Sequence, residues 1–149
     1  MMSVTLFPIQ VDGSAEDFTG ALPGLAVSIT EYTSAMYAKS GFVRPWIGYL
    51  AARSSTIVGT CGFKSPPDNN SVEIAYFTFP GHEGDGVATA MARELVQIAA
   101  SEAPGILITA QTLVQRNASH RILEKLGFVA HSTTDHPEDG TVLVWHRNT

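Results

Sequence analysis

The clearest pattern in the chain lies in its middle third. Trp46–Arg53 and Thr56–Lys64 are β-rich runs joined by Ser54-Ser55, which reads as a hairpin. The Pro- and Asn-containing segment Ser65–Asn70 is a loop, and Ser71–Phe79 is a further strand, so three antiparallel strands are expected in succession. Val87–Ser101 changes period: Val87, Met91, Leu95, Val96, Ile98 and Ala99 recur at helical spacing. Gly105–Ala110 is a short apolar strand of the kind buried on both faces. Asn117–Leu126 reads as a helix with Ile122, Leu123 and Leu126 inward, stopped by Gly127. Phe128–Ser132 and Thr141–His146 would close the sheet as an antiparallel pair. Upstream, Val4–Phe7 is a short strand, and Ser14–Leu22 is a helical turn capped by Ser14 ahead of Glu16 and Asp17. Thr30–Lys39 is a second helix, stopped by Ser40-Gly41. The order predicts an α+β fold around a mixed, mostly antiparallel central sheet flanked by helices.

Composition narrows the class. At 149 residues and 44% hydrophobic, with no repeat, low-complexity tract or long linker, the chain is expected to form a single domain over 1–149 with a full core. A net charge of −5 and nine scattered Lys and Arg give no reason to expect nucleic acid. The single Cys61 excludes an internal disulfide and a cysteine zinc cluster, and suits a reducing cytoplasm. Its strand-like setting, Val58–Phe63, reads as a small buried hydrophobe rather than a nucleophile. No apolar run approaches the ~20 residues that span a bilayer, and Met1–Phe7 lacks a signal-peptide pattern. The expectation is a soluble cytoplasmic protein with no membrane partner. The five histidines show no metal-binding spacing, so no metal is expected.

The most informative stretch is Glu73–Thr89, which reads as a strand, a Pro/Gly-rich turn, and then Gly84 and Gly86 opening a long helix. The first amides of a helix have no intrahelical partner, and the helix dipole adds roughly half a positive charge there. Glycines let a phosphate approach the bare backbone. A pyrophosphate site with a strand edge leading into it is therefore expected. The glycine pattern and the preceding meander disfavour a dinucleotide fold.

Glu83-Gly84-Asp85-Gly86-Val87-Ala88 after the fourth strand, together with Asn117–Phe128 ending in Leu126-Gly127-Phe128, resembles the GNAT acetyltransferase superfamily. Asn117-Ala118-Ser119, with Leu at position 123, is most similar to the branch containing ribosomal-protein N-terminal acetyltransferases. The resemblance runs from about Trp46 to the C-terminus. It implies acetyl-CoA as cosubstrate, its pantetheine arm pairing like an added strand with backbone groups of Phe77, Thr78 and Phe79. It also implies a pyrophosphate over Glu83, Gly84, Asp85, Gly86, Val87, Ala88 and Thr89, a splay between the fourth and fifth strands, and an amide near Phe77 as oxyanion donor. Glu83 and Asp85 depart from the family's usual residues and would repel a pyrophosphate, weakening binding that is otherwise made by backbone amides.

Strand alternation puts Glu73 and Phe77 on one face, so Glu73 is either the base that draws a proton from the amine or a solvated strand residue. Where the family often has a proton-donating Tyr, this chain has Leu123; Ser119 is the substitute acid or else a helix N-terminal hydrogen-bonding residue. Asn117 binds the cofactor arm, caps the helix, or does both. The expected activity is transfer of acetyl from acetyl-CoA to a primary amine, of a protein N-terminus or a small molecule, by direct attack in a ternary complex. Alternatives are a non-catalytic acyl-CoA-binding sensor and an interaction domain without ligand. Thr30–Arg44, the Ser65–Asn70 loop and a long polar His131–Gly140 lid would set specificity. An exposed edge of the closing hairpin would permit a homodimer.

Overall fold

The computed structural model describes residues 2–149. β1 (Thr5–Pro8), β2 (Gly48–Arg53), β3 (Thr56–Phe63), β4 (Ser71–Thr78), β5 (Leu107–Leu113), β6 (Val129–His136) and β7 (Gly140–Asn148) form one sheet in the order β1-β2-β3-β4-β5-β7-β6. All neighbours are antiparallel except β4 and β5, which run parallel. That parallel step follows from the crossover through α2 (Val87–Glu102), since parallel strands cannot be joined by a tight turn. The expected meander is present: Ser54, at φ 57°, makes the β2–β3 turn.

α2 packs Met91, Ala92, Leu95 and Ala99, all fully buried, onto one face of the sheet against Val58, Cys61, Val72 and Ile74. α1 (Gly24–Ser40) covers part of the opposite face. The Tyr37 hydroxyl ties it down, donating to the Ile9 carbonyl at 2.8 Å and accepting the Gly48 amide at 3.0 Å. α3 (Ala118–Lys125) follows β5 and ends in a tight reversal. There Gly127 (φ 89°) and Phe128 return their amides to Glu124 and Leu123.

Several expectations are corrected. Ser14–Leu22 is not helical: the capping carboxylate is Asp12, whose Oδ1 accepts the Ser14 amide (2.9 Å) and hydroxyl (2.7 Å), and Ala15 then bridges to Ile9. The helix starts only after Pro23, and earlier than Thr30, at Gly24. β5 runs past Ala110 to Leu113 because Thr112, although polar, has buried hydrogen-bond partners. Trp46 lies ahead of β2 rather than on it, buried edge-to-face with Phe63 at 5.0 Å. The His131–Gly140 lid does not exist. Ser132–Asp135 pair in register with Thr141–Val144 as the outermost strand, and only the three residues after His136 form the turn. Nearly every residue of β6 is solvent-exposed, so no apolar rhythm announces it.

Candidate functional site

The sheet opens at one place. The β4–β5 ladder contains Ser71↔Leu107, Val72↔Ile108 and Glu73↔Thr109, and then ends, although both strands continue. Which backbone groups are exposed by this opening follows from hydrogen bonds at the two ends of β4. Lys64 N–H donates to Glu73 O (3.0 Å) and Phe79 N–H to Val58 O (2.9 Å), so odd-numbered residues of β4 direct N–H and C=O toward β3. Leu107 N–H donates to Asn70 O (3.0 Å), so even-numbered residues face β5. Past the ladder, the unpaired groups belong to Tyr76 and Thr78. This corrects the expected donor set: Thr78 offers its backbone to the gap, whereas the Phe77 amide faces Thr60 and the Phe79 amide is bonded to Val58. On the other wall, Gln111 turns its backbone groups into the gap by the same alternation, while the Leu113 carbonyl is taken by His120 Nε2.

The turn after β4 leads to the start of α2. Gly81, Gly84 and Gly86 all have positive φ, and a Cβ at Gly81 or Gly84 would meet nothing within 4 Å, so the backbone there is bare. Gly86 is the N-cap in left-handed conformation, with no side-chain cap. Its carbonyl accepts the Ala90 amide, and the amides of Val87, Ala88 and Thr89 precede the first such bond. Glu83 folds back, its Oε1 accepting the Gly81 amide at 2.8 Å. Backbone hydrogen bonds, its own and that of Gly81, hold its carboxyl below the usual range. Asp85 is exposed beside it. The gap and this helix end therefore form one continuous strip of unpartnered donors, suited to an extended amide-bearing chain that terminates in phosphate.

Glu73 stands where the strands part. Its Oε2 is buried and forms an ion pair with Lys64 Nζ at 2.6 Å. Glu73, Ala75 and Phe77 share the α1 face, as alternation requires; Gly62 and Thr60 lie opposite Ala75 and Phe77 on β3, and Lys64, just past the end of β3, lies opposite Glu73. Between this floor and α1 is a chamber of about 450 Å³, walled by Tyr32, Met36, Tyr37 and Ser40 of α1. Cys61 borders it but is fully buried, and desolvation pushes its thiol far up, Glu94 adding to the effect. It is no nucleophile.

The far side of the gap is set by α3. Asn117 caps the helix, its Oδ1 accepting the Ser119 amide at 2.9 Å while Nδ2 donates to Gln115 O. The Ser119 side chain lies beside Tyr76. Burial pushes the Tyr76 phenol up, and Ser119 beside it works against that. Leu123 is wholly buried. His120, also buried, anchors the start of α3: Nε2 lies 2.8 Å from Leu113 O and 3.2 Å from Thr112 Oγ1, which accepts Trp145 Nε1–H at 2.9 Å. Sequence reasoning missed Tyr76, Lys64 and His120. Lys64 carried a usable signal, since it faces Glu73 across the β3–β4 pairing; Tyr76 and His120 read as ordinary core side chains. Among the described residues no cluster of three His, Cys, Asp or Glu is placed to hold a metal.

The chain has relatives. The family described as Acetyltransferase (GNAT) domain matches residues 14–129. YjdG, an uncharacterised N-acetyltransferase of Bacillus subtilis, is 36% identical over 74 residues, which is 49% of this chain and 44% of that protein. The match thus spans less than half of the curated relative. Among solved structures, yncA of Salmonella typhimurium, determined with its cofactor acetyl-CoA, superposes with a TM-score of 0.64 at 16% identity, covering 80% of this chain and 73% of that one. RimL, a ribosomal L7/L12 α-N-protein acetyltransferase in complex with coenzyme A, gives 0.66 at 15% identity over 83% and 71%. A GNAT-family protein of Desulfovibrio desulfuricans gives 0.65 at 12% identity over 98% and 99%. The parted fourth and fifth strands, the bare helix start beside them and the family match over most of the chain agree: this protein belongs to the GNAT acetyltransferase family.

Proposed function

We propose that the protein transfers an acetyl group from acetyl-CoA to a primary amine by direct attack in a ternary complex. The observation that carries this reading is the end of the β4–β5 ladder at Glu73↔Thr109, which leaves Tyr76 and Thr78 backbone groups unpartnered in line with the free amides of α2. Acetyl-CoA, when bound, supplies an activated acetyl group on a thiol leaving group. Thr78 and Tyr76 hold the pantetheine arm as a strand edge holds an added strand. Gly84, Gly86, Val87, Ala88 and Thr89 receive the pyrophosphate through backbone amides, and the bare turn lets it come close. Glu83 and Asp85 oppose it, so affinity rises with screening salt rather than falling as at an ordinary anion site.

Glu73 takes the proton that the incoming ammonium must lose before its nitrogen can bond to the acetyl carbon. The Tyr76 N–H donates to the carbonyl oxygen as charge develops there. The carbon–sulfur bond breaks, and the hydroxyl pair of Ser119 and Tyr76 returns a proton to the departing thiolate, filling the place that Leu123 cannot. Asn117 fixes Ser119 by capping α3. Free, buried Cys61 fits both a reducing cytoplasm and a route without an acetyl-enzyme, and the exposed β6 edge is where a second copy would pair.

The test is initial-rate kinetics with acetyl-CoA and a panel of amines, following thiol release. Intersecting patterns are expected, with Glu73→Gln lowering kcat/KM by about 10²–10⁴ while leaving acetyl-CoA binding intact. Acetyl-CoA binding without thiol release for any amine would replace this reading with a binding module, which the loss of the family's Tyr at position 123 would then explain.

A further inference from the structure

The Lys64–Glu73 pair has an unusual setting. Of the residues that line the chamber between α1 and the sheet, Lys64 alone carries a charge. The rest of the wall is aromatic, aliphatic or hydroxylic, with Tyr32 67% and Phe77 49% exposed at its rim. At the chamber's edge the ammonium of Lys64 and the carboxylate of Glu73 stand 2.6 Å apart. Glu73 Oε2 is buried against that ammonium. The Glu73 side chain as a whole is 25% exposed. Lys64 remains nearly half exposed, with donors to spare.

We propose, on the reading that this site acetylates an amine, that the acceptor is a free amino acid with an aromatic or large apolar side chain. Its carboxylate would sit on Lys64 and its amino group on Glu73. The adjacent cation and anion mirror the adjacent carboxylate and ammonium of a zwitterion, so four charges alternate in sign at the mouth of the gap. An ammonium alone approaching Glu73 draws that carboxylate from Lys64 and leaves Lys64 without an anion. The acceptor's own carboxylate restores the balance. A polyamine or a basic peptide brings further cations into a chamber that has no carboxylate to meet them, and a peptide N-terminus offers an amide carbonyl where Lys64 calls for an anion. The side chain then enters a chamber whose volume, about 450 Å³, lies within the range for small ligands.

The experiment compares phenylalanine, phenylalaninamide, phenethylamine, spermidine and a peptide beginning with phenylalanine as acceptors. Thiol release from acetyl-CoA is followed for wild type and Lys64→Met, and acetyl-CoA binding is measured in parallel by calorimetry. The expected result is a kcat/KM for phenylalanine at least about tenfold above that for phenethylamine or the amide, the range of one charge-assisted hydrogen bond. Lys64→Met should bring that ratio close to one. Using the ratio cancels any effect of the substitution on folding or on Glu73. Equal rates for amino acid and amine, an unchanged ratio in Lys64→Met, or preference for spermidine or the peptide would overturn the proposal while leaving an acetyltransferase. Acetyl-CoA bound without release for any acceptor would also overturn it. Failure to bind acetyl-CoA would remove the reading beneath it.

Discussion

Proline placed at two adjacent positions of β4 separates the gap-facing backbone from the ladder-facing one. Phe77 and Thr60 form a hydrogen-bonded pair, so Phe77→Pro deletes an N–H that β3 uses and leaves the Thr60 carbonyl without a partner. The lost bond is worth about 0.5–1.5 kcal/mol and the orphaned carbonyl about 1–3 kcal/mol. The sum of about 1.5–4.5 kcal/mol corresponds to a fall in Tm of roughly 3–18 °C for a chain of this size. Thr78 faces Gly59 as a non-hydrogen-bonded pair and turns its N–H into the gap. Thr78→Pro therefore leaves the β3 ladder whole, as proline is tolerated where a strand's N–H has no partner. Its Tm should stay within about 4 °C of wild type, equivalent to roughly 1 kcal/mol. Its acetyl-CoA affinity should weaken about threefold to tenfold, the worth of one net hydrogen bond. Thermal melts and calorimetry with acetyl-CoA read both quantities. A Thr78→Pro protein that melts as low as Phe77→Pro, or binds acetyl-CoA as tightly as wild type, would refute the assignment of edges.

Three further outcomes follow from the same geometry. Ala75 is exposed on the chamber floor, so Ala75→Leu should raise the acceptor KM by about tenfold or more, with acetyl-CoA affinity unchanged by calorimetry. Thr112→Val removes the acceptor of Trp145 Nε1–H inside the sheet, costing about 1–3 kcal/mol and several degrees of Tm, measured by thermal melt. Asp12 is held below its ordinary value of 3.8 by hydrogen bonds from Ser14, side chain first. Its contribution to stability is therefore complete above that ordinary value and lost as pH falls through the lower folded value. Urea melts of Asp12→Ala across this range should show a shallower acid-side decline than wild type.

How much of this was legible in the sequence differs by element. The strands Thr56–Phe63 and Ser71–Thr78 and the helix Val87–Glu102 announce themselves because each has one face in the core, and burial writes a period into the residues. β6 has no buried face and so leaves no period; its pairing is fixed by β7 alone. The bare turn at Gly84 and Gly86 was legible because positive φ restricts residue choice. Which amides of β4 face the gap was not. It depends on the register that pairing with β3 imposes, and a shift of one residue moves the donor from Phe77 to Tyr76. Ser14 misled because a serine before acidic residues is a good cap in isolation, whereas Asp12 had already claimed its amide. Glu73 was readable as a candidate base from alternation, but its ion pair with Lys64 exists only through the cross-strand pairing of β3 with β4.

The most direct test of the account is residue-resolved amide hydrogen exchange by NMR, with and without saturating acetyl-CoA. On the account given, the amides of Tyr76 and Thr78 exchange faster than that of Phe77 in the free protein. Acetyl-CoA then slows them, together with those of Val87, Ala88 and Thr89, and leaves Phe77 unchanged. Protection of Phe77 in place of Tyr76 and Thr78, or no change along β4 at full saturation, would contradict it.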